Sequence, residues 1–260
     1  MTVTQLPKRH KVVPKLYEQD TSKYAGPHGA QQSRVARLLR KSLKHHAYLR
    51  WAEAFTEIEI TGLAHLEERI GPAIYVANHT SHLDTILTQS ALPDHVADDL
   101  FYGAAQDRWF IKGRKKKELN PLYQSFVLGT FPILRGGGLG ALSYASELVE
   151  NGHNILLFPE GTRAMGTELG AFKHGATILA LRHQVPVIPL YLGGLRALRP
   201  KGSRETVPGS VSMDILEPIQ FSVGMDVESA TGLVQAAMNQ AHQTRLGVQT
   251  AEVVADEEAA

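Results

Sequence analysis

Three short runs without a charge constrain the fold most: AIYVA at residues 73–77, ILLF at 155–158 and VPVIPLYL at 185–192. Each is too short for a core helix and too apolar for a surface, which predicts strands buried on both faces. Leu139 to Val149 carries apolar residues at helical spacing and stops at Asn151-Gly152, just before the second run. Phe172 to Arg182 repeats the pattern before the third run, whose Pro186 and Pro189 predict an edge or an irregular course. Phe55 to Ile60 alternates apolar and polar residues as a half-buried strand does, and Val211 to Ile215 adds another. Helices alternating with buried strands predict an α/β fold, a mixed sheet flanked by helices.

At 260 residues the chain is near the upper size for one core. The expected division is a basic lead-in with an amphipathic helix (1–55), a main domain (56–222), and a closing helix from Leu233 to Leu246 with a frayed acidic tail (223–260). Pro7, Pro14, Gly26, Pro27 and Gly29 mark the first 30 residues as loosely ordered. From Gln32 to Phe55, Val35, Leu38, Leu39, Leu43, Leu49, Ala52 and Phe55 recur at helical spacing among Arg34, Arg37, Arg40, Lys41 and Lys44. Such a helix can lie in an anionic headgroup layer, apolar face inserted and cations at phosphates, or pack on its own domain.

The opening residues lack the apolar run of a secretory signal, and no stretch reaches the ~20 apolar residues of a spanning helix. The absence of cysteine excludes disulfides, thiolate metal sites and a cysteine nucleophile, and fits a reducing cytoplasm. The basic segment has few interleaved aromatics, so nucleic-acid binding is not expected.

Two constellations follow buried strands, where open α/β sheets bind ligands. The first is Asn78-His79-Thr80-Ser81-His82-Leu83-Asp84. Five residues apart, His79 and Asp84 do not share a helix face, but Asp84 in the first turn of a helix can reach back to a histidine in the preceding loop. The carboxylate then fixes the tautomer and steadies the imidazolium while the other ring nitrogen takes a hydroxyl proton. The pair can also be mere capping and surface decoration, and His79, His82 and Asp84 are all metal-ligand types, although their spacing matches no familiar metal helix. Ser81 is read as a helix cap rather than a nucleophile.

The second constellation is Phe158-Pro159-Glu160-Gly161-Thr162-Arg163. Arg163 can grip a phosphate with two hydrogen bonds, Gly161 permits close backbone approach, and Glu160 can orient either partner. An ordinary turn with an internal Glu–Arg pair reads equally well. Further cations are Lys115, Lys116 and Lys117, a solvated run or an anion site; Arg135, directly after an apolar stretch; and Lys173, beside a helix N-terminus that favours an anion.

Together these blocks resemble the glycerolipid acyltransferases typified by 1-acylglycerol-3-phosphate (lysophosphatidate) acyltransferase. The likeness spans about Gly62 to Leu192: NHTSHLD matches the family's NH-x₄-D, FPILR its apolar segment ending in arginine, FPEGTR its phosphate block, FKHG an FK-x-G, and VPVIPL its proline-containing strand. The resemblance implies His79 as catalytic base and Asp84 as its partner. It implies Arg135, Glu160, Gly161 and Arg163 as acceptor-binding residues and Lys116 as a phosphate ligand, with Thr162 and Lys173 beside them. Amides of the Glu160-Gly161-Thr162 turn are expected to hold the oxyanion.

The implied reaction moves a fatty acyl group from acyl-CoA or acyl carrier protein to the free hydroxyl of 1-acylglycerol-3-phosphate, with no cofactor and no metal. The implied location is the cytoplasmic face of a membrane, peripherally bound. A lipid acceptor without phosphate (a glycolipid, an amino lipid, a hydroxylated pigment) and a non-catalytic lipid-binding module are the alternatives.

Overall fold

The computed structural model describes residues 25–67, 71–113, 120–164, 166–199 and 205–259. In chain order these form α1 (Arg34–Leu43), α2 (Leu49–Phe55), β1 (Thr56–Thr61), β2 (Ile74–Ala77), α3 (Asp84–Ala91), α4 (Asp94–Ala97), β3 (Leu100–Ala105), α5 (Gln106–Trp109), α6 (Pro121–Phe126), β4 (Thr130–Ile133), α7 (Ser143–Glu150), β5 (Asn154–Leu157), α8 (Gly175–His183), β6 (Val187–Gly193), α9 (Leu195–Leu198), β7 (Gly209–Ile215) and α10 (Val227–Ala259). The lead-in before residue 25 and Lys115, Lys116 and Lys117 lie outside the described residues.

Among the described residues the strands form one sheet in the order β1-β7-β6-β2-β5-β3-β4. β6, β2, β5, β3 and β4 are mutually parallel, so their C-terminal ends share one edge. β7 runs antiparallel to β6, and β1 runs parallel to β7. The side chains of β2 alternate between two cores. Ile74 and Val76 pack in the layer holding Leu148 of α7, Leu179 of α8 and Met238 of α10, whereas Tyr75 and Ala77 join Leu87 of α3 and Leu195 of α9. Burial on both faces is why AIYVA lacks a polar alternation.

The sequence reading needs correction in several places. β3 and β4 were not expected: Leu100–Ala105 ends in small residues, and Thr130–Ile133 carries Pro132. β6 is not an edge strand but lies between β2 and β7. Its Pro189 falls where pairing with β7 is interrupted, between the Val187–Ile219 bridge and the ladder that begins at Leu190. α8 starts at Gly175 rather than Phe172, because the Phe172 amide donates to Gln235 Oε1 and the Lys173 amide to the Pro159 carbonyl. The C-terminal residues are not frayed coil; α10 continues through Ala259, in a stretch rich in alanine and glutamate.

α1 is inverted relative to a simple amphipathic reading. Val35, Leu38 and Leu39 are 77%, 66% and 47% exposed, whereas Arg40 and Lys44 are buried. The cations dock the helix on its own domain: Arg37 pairs with Asp99, Lys41 with Asp98, and Lys44 donates to Asp94 and the Leu92 carbonyl. Asp94 is held down at about 2, foremost by its hydrogen bond from Lys44, against the opposing effect of its partial burial. The face expected to meet headgroup phosphates is thus engaged within the protein, and the apolar face looks outward. A five-residue π turn, Lys44–Tyr48, joins α1 to α2. Among the described residues no helix is long and apolar enough to cross a membrane.

Candidate active site

His79 emerges two residues past the end of β2, and Asp84 opens α3. Asp84 is fully buried, with Oδ2 2.7 Å from His79 Nδ1. The same carboxylate accepts the amides of Thr80 at 2.7 Å and Ser81 at 3.0 Å, so it closes the loop that carries the histidine. Ser81 caps the turn that leads into α3, and its carbonyl accepts the Asp84 amide. Its amide donates to Asp84, and its Oγ accepts from the Leu83 amide. The ring of Phe158 stacks on the imidazole with centroids 4.2 Å apart and planes 24° apart. One face of His79 is thus covered, one nitrogen is engaged, and Nε2 has no hydrogen bond among the described residues.

Asn78, not singled out in the sequence, anchors the loop from the other side. Its side-chain amide donates to the Leu192 carbonyl at 2.9 Å, and its oxygen accepts the Leu192 amide at 2.7 Å. This two-pronged bond to the backbone of β6 fixes where β2 stops. Its place directly before His79 was the signal available in the sequence.

Glu160 acts as a brace. It is buried, with Oε1 accepting the His79 amide at 2.9 Å and Oε2 accepting the Gly170 amide at 3.1 Å. Both oxygens accept backbone amides, a bracing role that the sequence did not show beside the acceptor-binding one the resemblance implies. The Ala164 amide returns a hydrogen bond to the His79 carbonyl, and Arg196 donates to the Ala164 carbonyl. The two motif loops form one stitched unit.

Gly161 has φ +71°, which glycine adopts without strain, and a methyl group there would overlap Nζ of Lys173. The Lys173 side chain thus lies across the FPEG turn, where the resemblance set it beside the anion-binding residues. The Gly161 amide donates to the Phe158 carbonyl, which removes it from the expected oxyanion donors. Thr162 is exposed on the turn, and Arg163, half-buried, makes no ion pair among the described residues.

The strand order β2-β5-β3-β4 sets the motifs in a row along one edge, with steps of about 4.8 Å. His79 follows β2, Glu160 and Arg163 follow β5, Asp107 and Arg108 follow β3, and Arg135 follows β4. Arg135 is held by a two-pronged ion pair with Asp107, which raises its pKa. Lys116 is outside the described residues. His82, exposed beside His79, is pushed down to about 4, first by partial desolvation of its ring and then by the positive charges of Arg163 and Arg108. Among the described residues no group of three His, Cys, Asp or Glu side chains could hold a metal ion.

A family model described as Acyltransferase matches residues 57–193. The chloroplastic 1-acyl-sn-glycerol-3-phosphate acyltransferase BAT2 of Brassica napus is 29% identical over 193 residues, covering 70% of this chain and 52% of its own length. The 1-acyl-sn-glycerol-3-phosphate acyltransferase alpha of Mus musculus is 27% identical over 190 residues, covering 70% of this chain and 60% of its own. The chain spans about half the length of the curated relatives it matches. In fold it is similar to the crystal structure of the 1-acyl-sn-glycerophosphate (LPA) acyltransferase PlsC from Thermotoga maritima, with a TM-score of 0.62 at 24% identity, covering 81% of this chain and 79% of that chain.

Proposed function

The chain belongs to the acyltransferase family, and from that premise we propose that it moves a fatty acyl group from an acyl thioester to the free hydroxyl of 1-acylglycerol-3-phosphate, forming phosphatidic acid. The observation that carries this reading is the buried Asp84 held 2.7 Å from His79 Nδ1, which leaves Nε2 as the proton acceptor. His79 takes the hydroxyl proton as the acceptor oxygen attacks the thioester carbonyl. The tetrahedral intermediate expels the thiolate, to which the imidazolium gives the proton, releasing the free thiol. Asp84 stabilises that imidazolium, and no covalent acyl-enzyme is needed. Acyl-CoA is the proposed donor, with acyl carrier protein as the alternative thioester. The relatives named for 1-acyl-sn-glycerol-3-phosphate support the acceptor, as do the cations along the C-terminal edge.

In this reading His79 and Asp84 are catalytic. Arg163 and Lys173 bind the acceptor, Thr162 and Arg135 flank it, and Glu160 and Gly161 shape the loop. Residues 56–222 form the acyltransferase domain, with 1–55 and 223–260 as extensions. The outward Val35, Leu38 and Leu39 of α1 support peripheral attachment to the cytoplasmic face of a lipid bilayer, where the acceptor resides.

The test is thiol release from a long-chain acyl-CoA on adding lysophosphatidate, for wild type and His79→Ala. Release that depends on the acceptor and disappears in the variant supports the proposal. Release that persists in His79→Ala removes the proposed base, and wild type that is silent with lysophosphatidate but active with monoacylglycerol reassigns the acceptor.

A further inference from the structure

Two adjacent residues of α5 treat the site in opposite ways. Asp107 neutralises Arg135, the arginine the sequence pointed to. Arg108 turns to the catalytic loop: its guanidinium lies 3.4 Å from His82 Nε2 and 5.3 Å from the centroid of the Trp109 ring. Trp109 meets the His82 ring edge-on, with centroids 5.6 Å apart and planes at 90°. Arg108, Trp109 and His82 therefore form one cluster that joins the loop after β3 to the loop after β2.

Arg108 makes no ion pair among the described residues, nor does Arg163, whose loop leaves β5, the strand next to β3, and the charges of both lower the His82 pKa. Guanidinium groups at neighbouring strand ends repel one another, and an anion between them relieves that repulsion with charge-assisted hydrogen bonds. A planar fork held over an indole loses little freedom when it grips a phosphate with two bonds. His82 is three residues from His79, and in 1-acylglycerol-3-phosphate the reacting hydroxyl and the phosphate sit on adjacent carbons. An acceptor with its hydroxyl at His79 carries its phosphate only a short way along the edge, towards this cluster.

We propose that Arg108, steadied by Trp109 and His82, is a specificity-determining residue that binds the phosphate monoester of the acceptor together with Arg163. The inference rests on the acceptor assigned under the proposed function.

The experiment compares wild type, Arg108→Gln and Arg108→Lys by kcat, by KM for lysophosphatidate, by KM for acyl-CoA and by melting temperature. Arg108→Gln is expected to raise the lysophosphatidate KM about tenfold or more, the loss of a charge-assisted pair. The acyl-CoA KM and melting temperature stay unchanged, and Arg108→Lys falls between, since a point charge replaces the fork. An unchanged acceptor KM overturns the inference, as does a rise confined to the acyl-CoA KM, which assigns Arg108 to the donor's phosphates. Lower kcat and melting temperature at constant KM also overturn it, because they mark a structural role. Wild type that transfers nothing to lysophosphatidate overturns the acceptor reading itself, and is seen before any variant is compared.

Discussion

Asp84 Oδ2 lies 2.7 Å from His79 Nδ1 and 2.7 Å from the Thr80 amide, so one buried carboxylate orients the proposed base and folds the loop that presents it. Catalysis and local folding are inseparable at this position. In Asp84→Asn the side-chain NH₂ must face either His79 or backbone donors. The expected result is a fall in kcat of about 10²–10⁴, the range of general base catalysis, with a lower melting temperature. A variant that keeps its wild-type kcat sinks the assignment.

Glu160 tests bracing against ligand binding. Glu160→Gln places an amide NH₂ against one of two backbone N–H donors, and a buried polar group left unsatisfied costs about 1–3 kcal/mol. The displaced His79 loop should lower kcat about tenfold while the acceptor KM moves less than twofold. A raised KM at constant kcat returns Glu160 to the list of acceptor ligands.

Gly161→Ala meets two obstacles at once, a φ of +71° and the Lys173 side chain across the turn. Strain of this kind costs about 1–3 kcal/mol, visible as a lower urea midpoint. Because Lys173 must also move, acceptor KM should rise in parallel. An unchanged midpoint shows that the turn relaxes freely.

The proposed membrane contact predicts that Leu38→Glu with Leu39→Glu reduces co-flotation with anionic vesicles while leaving the melting temperature within about 2 °C, since surface changes away from packed features are usually small. Undiminished flotation removes α1 as the contact.

His82 supplies a pH test with a definite sign. Its folded value, about 4, lies below the ordinary 6.5, so between these values the unfolded chain binds more protons and stability rises with pH. This component is fully present above 6.5 and lost as pH falls towards 4. Urea midpoints at pH 7 and 4.5 should converge more in His82→Gln than in wild type. Equal pH dependence in the two proteins removes the histidine from the account.

Reading the sequence succeeded where a local pattern and a buried environment coincide. AIYVA and ILLF became β2 and β5 because strands buried on both faces carry no polar residues that could disguise them. β3 and β4 stayed hidden because their apolar runs are short, Leu100-Phe101-Tyr102 giving way to Gly103-Ala104-Ala105 and Phe131 standing beside Pro132, so that pairing with each other and with β5 makes them strands. Pro189 misled for the same reason: its cost depends on whether a partner strand needs its amide, and here the ladder is broken beside it.

Residue types and their order along the chain determined the α/β alternation, the pairing of His79 with Asp84 across five positions, and the set of cations near the strand ends. Only the tertiary structure decided which charges remain available. It paired Arg135 with Asp107, turned both oxygens of Glu160 to backbone, docked the cationic face of α1 on Asp94, Asp98 and Asp99, and set Arg108 beside His82. Periodicity and local chemistry are properties of neighbours in sequence, whereas the worth of a charge depends on partners and burial brought from 10 to 81 residues away.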